Sequence, residues 1–226
     1  NAQRDQVVYV WDGAEVQAVG SSAVIQEGSL AWLSDGRLGW LALQGAESTV
    51  VVWDGAQARP YPFASDPLVT MSWSVDGRLA WVARGPLDER SLYVLDVGAG
   101  TPPVLLSRAA WVSDTIAWAP DGRLAWGEVS PAQDYRIIIH GAEEVVMIPV
   151  EIFVRSLTWS RDGRLAWMDI VNQTAHRITV WDGHMTTIVQ DGMTNISAPR
   201  WSRSGRLTWS VNTVNRSQLY IWDGQS

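Results

Sequence analysis

The feature that most constrains this chain is a ten-residue pattern written five times. AWLSDGRLGW, SWSVDGRLAW, AWAPDGRLAW, TWSRDGRLAW and RWSRSGRLTW align without gaps. Their first tryptophans are Trp32, Trp73, Trp118, Trp159 and Trp201. A second tryptophan follows eight residues later, at Trp40, Trp81, Trp126, Trp167 and Trp209. The steps between copies are 41, 45, 41 and 42 residues. A second motif keeps the period: VYVWDG, VVVWDG, LYVLDVG, IIIHGAEE, ITVWDG and LYIWDG. Its tryptophan position holds Trp11, Trp53, Leu95, His140, Trp181 and Trp222. Of fifteen tryptophans only Trp111 lies outside the two motifs, so tryptophan here is architecture before it is chemistry. Repeats of this length are supersecondary units that bury their faces on one another.

Each repeat reads as four short strands, a to d. In the second repeat they fall near residues 70–74, 78–83, 92–95 and 104–106. The apolar spacing is two, and glycine or proline recurs about every ten residues, which excludes long helices. Asp-Gly between a and b is a tight-hairpin signal, and Asp54-Gly55 and Asp182-Gly183 repeat it between c and d. A three-residue a–b loop ending in glycine sets Trp73 opposite Leu79 and Met71 opposite Trp81. Trp73, Leu79 and Trp81 then share one face, with Ser72 and Ala80 on the other. Each sheet has a bulky and a small face, both apolar, so both are buried. Bulky-on-small stacking of successive sheets around an axis is propeller packing.

Composition removes several chemistries. Cysteine is absent, and all seventeen basic residues are arginine. Thiolate metal sites, cysteine nucleophiles, Schiff-base lysines and phosphate-loop lysines are excluded. The net charge of -7 argues against nucleic acid as a partner. No apolar run approaches the ~18 residues of a membrane span, so no membrane insertion is expected. The chain starts at Asn1, which suggests a processed or trimmed N-terminus. Length and repeat together give a single domain over residues 1–226. Its repeats lie near 29–69, 70–114, 115–155, 156–197 and 198–226.

The W-S-x-D-G-R-L-A-W hairpin followed by an I-x-V-W-D strand resembles the TolB-type, WD-like β-propeller repeat, over Val7 to Gly224. Trp53-Asp54 and Trp181-Asp182 are similar to the Trp-Asp pair of WD repeats, but their opening Gly-His pair is missing. The resemblance implies an all-β propeller of four-stranded blades. Members of that family include periplasmic partners of lipoproteins, enzyme-appended substrate gates and sensor domains, so the resemblance is specific for fold and nearly silent on function; an extracytoplasmic or secreted setting is the expectation. No functional residue carries over, because the matched positions are structural. The sialidase-type Asp box is not matched, since Ser74-Val75-Asp76-Gly77 places glycine one position early.

The repeated Asp35, Asp76, Asp121 and Asp162 read as turn-formers, and Ser204 takes that place in the fifth copy. Arg37, Arg78, Arg123, Arg164 and Arg206 follow the turn glycines. They read as partners of the turn aspartates, worth ~0–1 kcal/mol each, rather than as an anion-binding ring. Ligand contacts are expected on the other rim, where the b–c and d–a loops vary. The candidates there are Trp111, Asp114, Asp66, Arg155, Arg200 and His176. Trp111 reads equally as a binding anchor or as a cap on the core. Arg200 replaces a small residue opposite Thr208 and needs a carboxylate, the channel or an interface as partner.

Catalysis is not expected, a glycoside-active enzyme standing third behind an interaction scaffold and a lectin-like binder. The channel-side positions Ser29, Thr70, Thr115, Ser156 and Ala198 are small, and Glu27, Asp66 and Asp114 lie at non-equivalent offsets. His176 can meet Asp169 within one loop, but no nucleophile accompanies them. No metal spacing and no cofactor motif is present. The strand-c tryptophans allow a lectin-like alternative, with one sugar stacked per blade. Asn172-Gln173-Thr174, Asn195-Ile196-Ser197 and Asn215-Arg216-Ser217 are glycosylation triplets only in a suitable secreted context.

The reading is a five-bladed propeller acting as a non-catalytic interaction scaffold, with six blades, one partial, as the alternative. Residues 7–19 supply strands c and d, and residues 198–222 supply a, b and c. Joining the ends in one blade leaves one strand c surplus. Val7, Val8, Tyr9, Val10 and Trp11, with Leu219, Tyr220 and Trp222, are therefore the assembly candidates. The expected partner is protein, including further copies of this chain, with a glycan as the alternative ligand.

Overall fold

The computed structural model describes residues 5–44, 47–63, 68–85, 89–109, 111–172 and 174–224. All regular structure among these residues is antiparallel strand, in six sheets. β1 (Gln6–Trp11) and β2 (Val16–Ser22) form a two-stranded sheet. The next sheet contains β3 (Val24–Ile25), β4 (Ala31–Trp32), β5 (Leu38–Gln44), β6 (Glu47–Trp53) and β7 (Ala58–Phe63). Here strand a is broken in two, and β3 and β4 both pair with β5. Three four-stranded sheets follow. They are β8 (Leu68–Trp73) to β11 (Val104–Ala109), through β9 (Arg78–Arg84) and β10 (Arg90–Asp96); β12 (Trp111–Trp118) to β15 (Val145–Pro149), through β13 (Leu124–Val129) and β14 (Tyr135–His140); and β16 (Val154–Trp159) to β19 (Thr186–Met193), through β17 (Leu165–Val171) and β18 (Ala175–Trp181). The last sheet has three strands, β20 (Arg200–Trp201), β21 (Leu207–Asn212) and β22 (Ser217–Trp222). This is the all-β, blade-by-blade architecture of a β-propeller, as the repeat implies.

The hairpin register follows the sequence closely. Trp73 pairs with Leu79, Met71 with Trp81, and Ser72 with Ala80. Ser74 and Arg78 close a three-residue loop, the Ser74 amide donating to the Arg78 carbonyl at 2.8 Å. Gly77 ends that loop with φ 90°, a conformation that strains any residue with a Cβ. The c–d turns are fixed differently. Asp12, Asp54, Asp96 and Asp182 each accept backbone N–H bonds from the residues two and three places on.

The chain forms two compact units, Asn1–Leu106 and Ser107–Ser226, with the boundary inside β11. In the first, Val8 and Val19 of the β1–β2 hairpin pack on Leu38, Trp40 and Trp53 of the following sheet. That sheet in turn gives Leu41, Val50 and Val52 to Leu79, Trp81 and Leu95 of the next. In the second unit, Ile137, Ile139 and Ile148 meet Leu165, Trp167 and Trp181. Met168, Ile178 and Val180 then meet Leu207 and Trp209. In these four contacts, two within each unit, the bulky face of one sheet packs on the sheet before it. The small face is needed for that approach: a Cβ on Gly39 would lie 2.5 Å from the Trp73 ring.

The two tryptophans of the hairpin differ in depth. Trp40, Trp81, Trp126, Trp167 and Trp209 on strand b are buried. Trp73, Trp118, Trp159 and Trp201 on strand a are only partly buried, and Trp32 is exposed. The strand-a indoles still serve the stack. Trp73 donates to the Ser29 carbonyl, Trp159 to that of Ala117 and Trp201 to that of Thr158, each in the preceding sheet, at 3.1–3.2 Å.

Candidate functional site

The arginines after the turn glycines do more than the expected pairing with aspartate. Arg123 binds Asp121 at 2.8 Å, and its Nη2 also donates to the Gly163 carbonyl of the next sheet's turn. Its guanidinium lies over Trp159 at 4.7 Å and Trp181 at 5.7 Å. Arg164 repeats this set one sheet on, with Asp162, the Gly205 carbonyl, Trp201 and Trp222. Trp159 and Trp181 stand edge-to-face at 6.2–6.4 Å centroid separation, as do Trp32 and Trp53. This rim is a sheet-to-sheet fastener rather than an anion site. The same packing buries Trp53 and Trp181, so neither is available to stack a sugar. Trp11 is the strand-c tryptophan that is largely exposed.

The loop-side candidates occupy separate places. Trp111 opens β12, partly buried, with its ring edge-to-face on Phe153 at 5.9 Å; Phe153 also meets Tyr135 at 4.9 Å. Trp111, Phe153 and Tyr135 thus form one aromatic cluster, with Phe153 exposed. Asp114 is exposed on β12, within the irregular stretch between Val112 and Ile116. Arg155 is exposed on β16, and its carbonyl accepts from the Thr115 hydroxyl. Arg200 pairs with Thr208 in register, but it is exposed on an open sheet face rather than buried between sheets. Asp66 lies outside the described residues. Ser29 is buried and accepts from the Leu41 amide, so it holds backbone rather than lining an opening. Among the described residues no three His, Asp or Glu side chains cluster as metal ligands.

His176 and Asp169 do not meet as expected. Asp169 is opposite Arg177 in the β17–β18 ladder, while His176 is opposite Ile170. Adjacent positions on a strand face opposite sides, so Asp169 and His176 are on different faces. The Asp169–Arg177 pair has a counterpart in the preceding sheet, where Glu128 is opposite Arg136. Counting two residues on from each strand-b tryptophan gives Ala42, Ala83, Glu128, Asp169 and Val211. Only two repeats place a carboxylate at this core position, a signal that was readable in the repeat alignment and was missed.

The two carboxylates differ sharply. Glu128 is fully engaged: it accepts from Trp126 Nε1 at 2.8 Å, Ser107 Oγ at 2.7 Å and Arg136 Nη2 at 2.6 Å. Burial alone pushes its pKa up, but these hydrogen bonds and the guanidinium outweigh burial and hold it below the ordinary value. Asp169 is one methylene shorter. It does not reach Trp167, and its Oδ1 and Trp167 Nε1 both lack a hydrogen-bond partner. Arg177 turns instead to Asp191 at 3.1 Å and Glu151 at 3.4 Å. Burial therefore dominates and raises the Asp169 pKa; the nearby Arg177 opposes this, while Glu151 and Asp191 add to it.

Two open surfaces complete the picture. In the first unit, Trp11 pairs with Val16 and Tyr9 with Ala18, on the face of the β1–β2 sheet turned away from Trp40. Trp11, Tyr9 and Val16 are 69%, 62% and 67% exposed. A groove of about 720 Å³ runs along Gln6, Val7 and Tyr9 of β1 and residues 25–28 with Leu30. In the second unit, Leu219 and Ile221 of β22 are exposed beside Arg200 and Thr208.

No protein-family model and no curated protein sequence matches the chain. Solved structures match its fold. TolB from Acinetobacter baumannii aligns over 94% of this chain and 56% of its own, at 18% identity and a TM-score of 0.57. An acylaminoacyl peptidase of Pyrococcus horikoshii aligns over 84% of this chain and 36% of its own, at 14% identity and a TM-score of 0.55. A chain of a mitotic checkpoint complex aligns over 96% of this chain and 84% of its own, at 17% identity and a TM-score of 0.52. The chain thus spans about half of TolB and about a third of the peptidase. These likenesses support the TolB- and WD-like propeller fold.

Proposed function

We propose that this propeller is a non-catalytic interaction scaffold that joins protein to protein, in the first place copies of itself. The observation that carries this reading is the open face of the β1–β2 sheet. Its inner face already covers Trp40 and Trp53, yet Tyr9, Trp11 and Val16 on the outer face stand in solvent. A sheet that is apolar on both faces and covered on one marks a contact surface. Its strand edges carry unpaired backbone groups that template strand addition. The last sheet offers a second such surface, with Leu219 and Ile221 exposed and β22 at its edge.

Two different apolar surfaces favour head-to-tail contact, which yields rings or filaments. The competing use is closure within one chain, with β2 as the fourth strand beside β22. The alternatives part on native mass. Light scattering of the full chain is expected to show an oligomer that grows with concentration. Trp11→Ser with Tyr9→Ser is expected to lower that mass without loss of β-sheet circular dichroism. A strict monomer at every concentration would overturn self-association and leave closure.

A further inference from the structure

The geometry points to a binding site for a neutral, hydroxyl-bearing ligand of single-sugar size, in the cleft between the β12–β15 and β16–β19 sheets. The cleft measures about 300 Å³, at the small end of ligand pockets. Ile148, Pro149 and Val150 form one wall, and Trp167, Thr179 and Ile188 the other. Asp169 is 4% exposed and Trp167 2% exposed, and both line the cleft. Asp169 Oδ1 and Trp167 Nε1 are an acceptor and a donor without partners; the equivalent indoles of Trp40 and Trp209 also lack one, so the distinctive group is the Asp169 carboxylate, whose counterpart Glu128 is bonded to Trp126 in the sister sheet. A buried polar pair left open in this way is costly unless something completes it.

The chemistry of the missing group follows from the pair. It must donate to the Asp169 carboxylate oxygen, and a group that also accepts from the Trp167 indole N–H completes both. A hydroxyl does both through one atom. An ammonium cannot accept, and a carboxylate or phosphate would face Asp169, with Glu151 at the mouth. Arg177 does not invite an anion, since Asp191 and Glu151 already hold it. Thr179, buried in the same wall, supplies a second hydroxyl partner. Ile148, Val150 and Ile188 suit the C–H faces of a sugar ring. The site is independent of the terminal sheets that carry self-association.

The test is a calorimetric titration of the full chain with neutral hexoses, N-acetylhexosamines, inositol and glycerol, alongside glucuronate and glucose phosphate. At least one neutral sugar or cyclitol is expected to bind, and the two anions are not. Asp169→Glu rebuilds the closed arrangement of Glu128 and is expected to weaken binding about tenfold or more, the loss of one buried hydrogen bond. Thr179→Val keeps the side-chain shape and is expected to weaken it too, with melting curves confirming that both variants fold. No binding by any neutral member, binding by glycerol alone, tighter binding of an anion, or undiminished binding by Asp169→Glu would each overturn the site.

Discussion

Replacing Arg164 by alanine removes four contacts at once, with Asp162, the Gly205 carbonyl, Trp201 and, more distantly, Trp222. The ion pair with Asp162, at 2.9 Å, involves a carboxylate that is more than half exposed and is worth ~0–1 kcal/mol. The Nη2 bond to the Gly205 carbonyl, at 2.9 Å, is charge-assisted and shielded, worth ~1.5–3 kcal/mol. The stack on Trp201, at 4.7 Å, adds ~0.5–2 kcal/mol. These terms share one side chain and do not add fully, so the expected loss is about 2–4 kcal/mol. Asp162→Asn removes only the first and is expected to cost under about 1 kcal/mol. Urea titrations followed by circular dichroism give both values. A double-mutant cycle of Arg164→Ala with Trp222→Leu is expected to show coupling of ~0.5 kcal/mol or more. Equal small losses for Arg164→Ala and Asp162→Asn, with no coupling, would refute the fastener and return the arginine to a surface ion pair.

Three further outcomes are expected. Gly39→Ala should cost ~1–3 kcal/mol in the same titration, because its Cβ overlaps the Trp73 ring. Trp126→Phe should destabilise more than Trp167→Phe, because the first deprives buried Glu128 of a donor and the second breaks no bond. The two core carboxylates should give pH dependences of opposite sign. Glu128, held below its ordinary pKa, stabilises above the unfolded value and loses that contribution as pH falls through the folded one. Asp169, raised by burial among Arg177, Glu151 and Asp191, binds its proton more tightly when folded. Its contribution therefore declines as pH rises from the unfolded carboxylate range near ~4 through the folded value. Asp169→Asn should flatten that decline and Glu128→Gln the acid-side loss, both read from melting temperatures across pH.

The repeat made the blades legible because turn chemistry and apolar alternation agree at every copy. Asp-Gly turns fixed the loop length, loop length fixed the register, and the register placed Trp73, Leu79 and Trp81 on one face. What the pattern hid was depth. Both hairpin tryptophans read alike, yet only the strand-b member is buried, because its strand is flanked by a and c within the sheet. The arginine contacts with the next sheet's turn were hidden too, since they join residues about forty positions apart. Asp169 was noticed for the wrong reason. Proximity to His176 suggested a pair, whereas strand alternation sends the two to opposite faces. The informative comparison was vertical, across repeats, where a carboxylate replaces alanine or valine in two sheets and differs between them by one methylene. Arg200, read as needing a carboxylate, the channel or an interface, is exposed on the last sheet. Its exposure follows from its place on the open face of the last sheet.

Amide hydrogen exchange at low and high protein concentration tests the role of the terminal sheets most directly. Protection that rises with concentration at Gln6–Trp11 and Ser217–Trp222, with the β12–β15 and β16–β19 sheets unchanged, is the expected result. Exchange at both strands that is independent of concentration would contradict a scaffold built through these surfaces.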